Sequence, residues 1–260
     1  FEAAIGNNVS SEVDNNTETD GEYSAYTYKM TVNYGGENAV MYYNETNVET
    51  KTEEDDGESS TETSATLVGV LVVGENAFET AGKRKEEIEA DEKEFELELA
   101  VKKSETNFVV FTYATENEKG ENETKYECEI YEDGKKIQET EFKIEEKDGK
   151  TETKKNEFTQ SENADITSSE KSTSEVGSSD KKSESSISAV VRNDEGFSEV
   201  IDKINEIDKK RPEDETTPIK ADIVLTDTDT VNGDKLKDLA GKNVSLEITN
   251  KNGSVSGIDC

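Results

Sequence analysis

The chain has 260 residues, 30% of them apolar and 36% charged, and a formal net charge of −33. Acid spread along the whole length repels phosphates and anionic headgroups, which argues against nucleic acid and membrane surfaces as partners. Histidine and tryptophan are absent, so no Ser-His-Asp or Cys-His constellation can be assembled and imidazole zinc ligands are missing.

Compartment signals are few. Cys128 and Cys260 build no disulfide framework, and nothing in the sequence requires them to pair. No apolar run reaches the 18 residues of a membrane span, and the longest, ATLVGVLVV (65–73), lies mid-chain. Arginine stands only at Arg84, Arg192 and Arg211 amid abundant lysine, asparagine and glutamate, a low-GC bacterial composition. The chain opens on Phe1 and stops at Cys260 as a strand finishes, so both ends read as cuts in a longer protein.

Residues 1–22 are polar and rich in Asn, Ser and Thr, and read as an arm. From residue 23 the texture changes. YSAYTYKMTVNY (23–34) and NAVMYYNETNVETKT (38–52) read as a hairpin, followed by an acidic loop at 53–60 and the apolar run. Phe95, Leu97, Leu99 and Val101 alternate with Glu96, Glu98 and Ala100, which predicts a half-buried strand over 94–102. Residues 83–92 read as helix or strand, with a polar strand favoured. Strands at 107–116, 124–133, 135–147 and 150–158 follow, two of the links being Asp-Gly turns. Residues 23–158 are therefore expected to form an antiparallel meander or an up-and-down barrel.

Residues 159–186 are serine-rich with little to bury and read as a linker. A small α/β module is expected over 187–260. ISAVV is its first strand, and Val200, Ile201, Ile204 and Ile207 make one helical stripe capped by Asn193 or Asp194. ADIVL, a short helix at 233–242, NVSLEIT and GSVSGID complete a β-α-β-α-β-β order. The predicted fold class is thus mainly β, a meander followed by this small module.

Two sites suggest themselves. Tyr26, Tyr28, Tyr42 and Tyr43, with Tyr34, cluster in the first two strands. They form either an exposed aromatic strip for sugar or peptide contact or, the favoured reading, the filling of a sheet short of Leu and Ile. Asp227 and Asp229 begin like an EF-hand loop, but Val231 occupies the fifth position and Asp238 the twelfth, so the strict spacing fails. A polar strand-to-helix connection is the favoured reading there. A looser calcium cluster of Asp227, Asp229 and Asp234 is the alternative.

The residues VNGDKLKDLAGKNVSLEITNKNGSVSGID resemble a small module of exported surface proteins of clostridia-like Gram-positive bacteria. In that module a helix LxxLxGK leads to a strand VxLxI, an NG turn and a last strand. Leu236, Leu239, Gly241, Lys242, Val244, Leu246, Ile248 and Gly253 fit, whereas Val255 stands where the family has tryptophan. The resemblance spans about 187–260 and implies an extracellular or cell-surface setting without catalysis. The meander is similar in flavour to β-rich bacterial lipoprotein-like domains. The expected function is that of a non-catalytic display or adhesion module. Its partner would be an extracellular protein or carbohydrate, and it would have no cofactor except calcium if the aspartate cluster forms. A ligand-binding secreted lipoprotein and a calcium-stabilised adhesion module are the alternatives.

Overall fold

The computed structural model describes residues 10–17, 20–34, 37–55, 58–175, 181–212, 215–226, 231, 233–250 and 255–259, and they form a mainly β, mostly antiparallel fold. Two compact units result, Phe1–Lys135 and Lys136–Cys260.

In the first unit the strands are β1 (Ser10–Asn15), β2 (Tyr28–Tyr34), β3 (Glu37–Asp55), β4 (Glu58–Val73), β5 (Asn76–Ile88), β6 (Glu92–Lys102), β7 (Phe108–Glu118) and β8 (Glu121–Glu132). Each pairs antiparallel with its sequence neighbour, and among the described residues β8 does not return to β1, so the unit is a meander and no barrel. Residues 83–92 belong mostly to β5 and β6, resolving the helix-or-strand ambiguity in favour of strand. Tight turns make the topology local. Asp133 and Gly134 have φ of 50° and 74°, and Asp148 and Gly149 of 51° and 73°, the positive pair that suits strand twist.

Two expectations fail here. The polar arm contains β1, which Asn16 secures by donating from Nδ2 to the carbonyls of Tyr23 (2.8 Å) and Tyr26 (2.9 Å). The acidic loop at 53–60 is largely strand, because β3 and β4 continue pairing out to Asp55 and Glu58. In both places the chain pairs through its backbone ladder, which does not depend on side-chain type.

The second unit comprises β9 (Lys135–Lys147), β10 (Lys150–Gln160), β11 (Ala164–Glu175), β12 (Lys181–Val191), helix α1 (Asp194–Lys210), β13 (Ile219–Leu225), a 3₁₀ helix (Gly233–Leu239), β14 (Val244–Asn250) and β15 (Val255–Asp259). Strands β9 to β12 are antiparallel, β12–β13–β14 parallel, and β15 antiparallel to β14. The Asn193 side chain caps α1 by accepting from the Gly196 amide at 2.9 Å. Phe197, Val200, Ile201, Ile204 and Ile207 then pack on alternate residues of the sheet, among them Ile187, Val191, Ile219, Ile223 and Leu246.

The serine-rich stretch is no linker. It forms β11 and the start of β12, and the division between units falls at Lys135/Lys136 instead. Serine and threonine fit a pleat bonded on both sides, and their hydroxyls pair across it, as Thr153 and Ser172 do at 2.5 Å. Ala164 and Ile166 of β11 join the core beneath α1, so the α/β module is continuous with the strands before it.

An ion cluster ties α1 to the sheet. Glu157 of β10 receives Lys203 of α1 at 2.5 Å and Lys155 at 2.9 Å, with side-chain exposures of 13%, 19% and 12%. Burial pushes the Glu157 carboxyl up, but hydrogen bonds from Lys203 and Lys155 outweigh it and hold the group below its ordinary 4.5. Its contribution is therefore complete above that value and is lost as pH falls through the lowered one. Glu157→Gln should cost about 2 kcal/mol at neutral pH, since it removes the carboxylate that both ammonium groups share and leaves Lys203 to Glu206 at 3.3 Å and Lys155 to Glu170 at 4.0 Å. The difference from wild type, read by urea denaturation, should shrink as pH drops below 4.5.

Candidate functional site

Strand pleating sorts the first unit's side chains onto two unlike faces. Cross-strand register places Gly69, Thr80, Val101, Val109 and Ile130 in one row, with Leu71 opposite Phe78 in the rung beyond it, and Gly82, Leu99, Phe111 and Cys128 in another row on the same face. A third row runs through Phe95, Thr115 and Thr124, and Leu97, Tyr113 and Tyr126 lie between. The rings of Phe95 and Tyr113 are 6.0 Å apart and those of Tyr113 and Tyr126 5.1 Å. Over β5–β8 this face carries as charged residues only Arg84, Glu86, Lys93 and Glu132. Three of them pair among themselves, Arg84 with Glu86 at 3.6 Å and Lys93 with Glu86 at 2.9 Å. Arg84 also meets Glu45 of β3 at 3.1 Å. The face is neutral.

Over the same strands the other face carries twelve glutamates and four lysines. Glu62, Glu87, Glu94, Glu116 and Glu123 stand side by side in one rung across five strands. Lys85 relieves one end, 3.0 Å from Glu62 and 2.9 Å from Glu87, and these hydrogen bonds push its ammonium pKa up. Glu92, in the next rung with Glu118 and Glu121, has its pKa raised by a hydrogen bond with Glu94, by burial and by neighbouring carboxylates.

Two glycines bend the sheet on the neutral side. A Cβ at Gly69 would fall onto the Tyr42 carbonyl oxygen, and one at Gly82 onto that of Glu98. Tyr43 lies opposite Gly69, while Leu67 and Leu99 flank Gly82. This close approach is what buries Met41, Tyr43, Leu67 and Leu99 without a second layer from this unit. Towards β8 the face stays half-buried, and Leu71, Val73, Phe78, Val101, Val109 and Ile130 line a shallow apolar depression rimmed by Lys103, Asn107 and Glu132.

The four tyrosines singled out from sequence do not make one strip. Tyr28 stacks on Tyr43 at 5.3 Å on the neutral face. Tyr42, the next residue in β3, points to the opposite face, where it stacks on Tyr23 at 4.5 Å with Lys29 Nζ 5.6 Å from its ring centroid. Tyr26 sits in the turn before β2. Tyr42 and Tyr43 are buried, and Tyr26 and Tyr28 are half-buried. Of the candidate calcium ligands, Asp227 and Asp229 lie outside the described residues. Asp234 opens the 3₁₀ helix, exposed and 2.6 Å from Lys237. Cys128 is a free, half-buried thiol on the neutral face, and burial pushes its pKa up. Cys260 lies outside the described residues.

Sequence reading missed the gathering of Phe95, Phe111, Tyr113 and Tyr126 on one face. Its signal was present. Each strand alternates, and the short turns between β6, β7 and β8 fix their phases relative to one another.

Comparison with family models, with curated proteins and with solved structures finds no match.

Gly82→Ala should lower stability by about 2–3 kcal/mol, seen as a lower urea midpoint at unchanged slope. Glu116→Lys should instead stabilise by about 0.5–1 kcal/mol, because like charges directly opposite one another are unfavourable. Its melting temperature should also depend less on salt than that of the wild type.

Proposed function

We propose that the chain is a non-catalytic module of an exported bacterial cell-surface protein, and that it works by presenting the neutral face of its first unit to an extracellular partner, a protein or a carbohydrate. The observation that carries this reading is the segregation of charge: a chain of −33 keeps one sheet face net neutral and aromatic. A half-buried apolar surface of this extent marks an interaction site in a soluble molecule. The acidic remainder supports solubility outside the cell, and the likeness of 187–260 to surface-protein modules supports the setting.

Binding of the full chain to arrays of glycans and of extracellular proteins tests the reading. Tyr113→Lys should weaken whatever binds at least tenfold, whereas Val68→Lys, at a 49% exposed site on the acidic face, should not. Equal binding by both variants would place the interaction elsewhere. A secreted ligand-binding lipoprotein is the second reading, and the depression around Phe78 and Val109 favours it. It requires a small apolar ligand that raises the melting temperature of wild type but not of Val109→Asp.

A further inference from the structure

If the neutral face is the docking surface, its occupant must be compatible with an apolar, uncharged centre and with strong acid behind it. We infer that the occupant is a second copy of this chain, packed neutral face to neutral face.

Charge placement is the first argument. Pairing two neutral faces turns both glutamate-rich faces outward, so the densest like charge lies on opposite sides of the resulting sandwich. Any arrangement that uses the acidic face sets glutamate rungs against each other or needs a strongly basic partner. The neutral face offers no complementary charge to such a partner, since Arg84, Lys93 and Glu86 already satisfy one another. The face also matches itself: Leu, Val and Phe lie beside Tyr and Thr, and its four charged residues, Arg84, Glu86, Lys93 and Glu132, sum to zero.

Size is the second argument. Five strands about 4.8 Å apart and about ten residues long at roughly 3.4 Å each span about 800 Å². That is one partner's share of a standard interface. Sheets pack face to face about 10 Å apart, which half-buried Phe111, Tyr113 and Tyr126 can fill.

Salt dependence then distinguishes this association from an ion-paired one. The contact is apolar and the long-range force between copies is repulsive, so salt should tighten it.

Sedimentation of the full chain over a concentration series should show the 28.7 kDa monomer giving way to twice that mass, at lower concentration when salt is raised. Tyr113→Lys and the milder rim change Thr115→Lys, each checked for native circular dichroism, should raise the dimer Kd at least tenfold, and Val68→Lys should not. In a Cys260→Ser background, alkylation of Cys128 should slow several-fold as the dimer forms, because the thiol lies opposite Phe111 on the face that the second copy covers. A monomer at every concentration and salt overturns the inference. So does a dimer unaffected by both lysine variants with Cys128 alkylation unchanged. A monomer whose binding on the arrays is lost in Tyr113→Lys leaves the docking face standing and removes only self-pairing. If the chain is monomeric and its array binding is indifferent to that change, both readings fall.

Discussion

A sheet in which every strand pairs with its neighbour in sequence satisfies its backbone locally, one short turn at a time. It can therefore grow without the large apolar core that a folded-over sandwich needs. The first unit is built under this constraint, and it explains how a chain with 30% apolar residues folds over so much of its length. Stability is spread over cross-strand pairs, each worth a few tenths to about 1 kcal/mol, and over the ladder that shields the backbone. Among the described residues of this unit a buried cluster forms where Gly69 and Gly82 let neighbouring backbones close in, around Met41, Leu67 and Leu99.

The second unit follows the same rule until β12 and then changes it. A parallel partner cannot be reached by a two-residue turn, so the chain crosses over through α1, and the helix brings its own apolar stripe. Here burial is complete, with Phe197, Val200, Ile201 and Ile204 closed off from solvent. Beyond that stripe the sheet has few apolar residues to offer the helix. Charge takes over at the flank, where Lys203 reaches Glu157. Such a pair gains little over an apolar contact, but it fixes where the helix sits against β10.

How much was legible depended on whether a segment's own side chains declared its state. Strand β6 was readable because Phe95, Leu97 and Leu99 alternate with glutamate, and α1 because its isoleucines recur at helical spacing. The strands β1, β11 and the ends of β3 and β4 were read as arm, linker and loop. Their side chains carry almost no apolar signal, and their stability lies in neighbours that one segment does not reveal. The tyrosine cluster was legible as residues but not as a site, because adjacent positions such as Tyr42 and Tyr43 face opposite ways once they are in a strand. The neutral face needed register as well as alternation. It emerges only when the phases of β5 to β8 are set against one another, and the short turns set them.

Register also explains why the glutamate rungs are tolerated. Moving any one strand by a single residue would exchange its faces, putting Leu97 and Leu99 among carboxylates and Glu96 and Glu98 among aromatic rings. The repulsion within a rung such as Glu94–Glu116–Glu123 costs far less than that exchange, since exposed carboxylates are screened by water and salt. The charge thus penalises the wrong register more than it weakens the right one. Edge-to-edge and face-to-face aggregation through the acidic side is opposed at the same time. What remains unopposed is the neutral face. A sheet that sets so much charge against contacts on one side, while leaving the other net neutral, favours association through the neutral side.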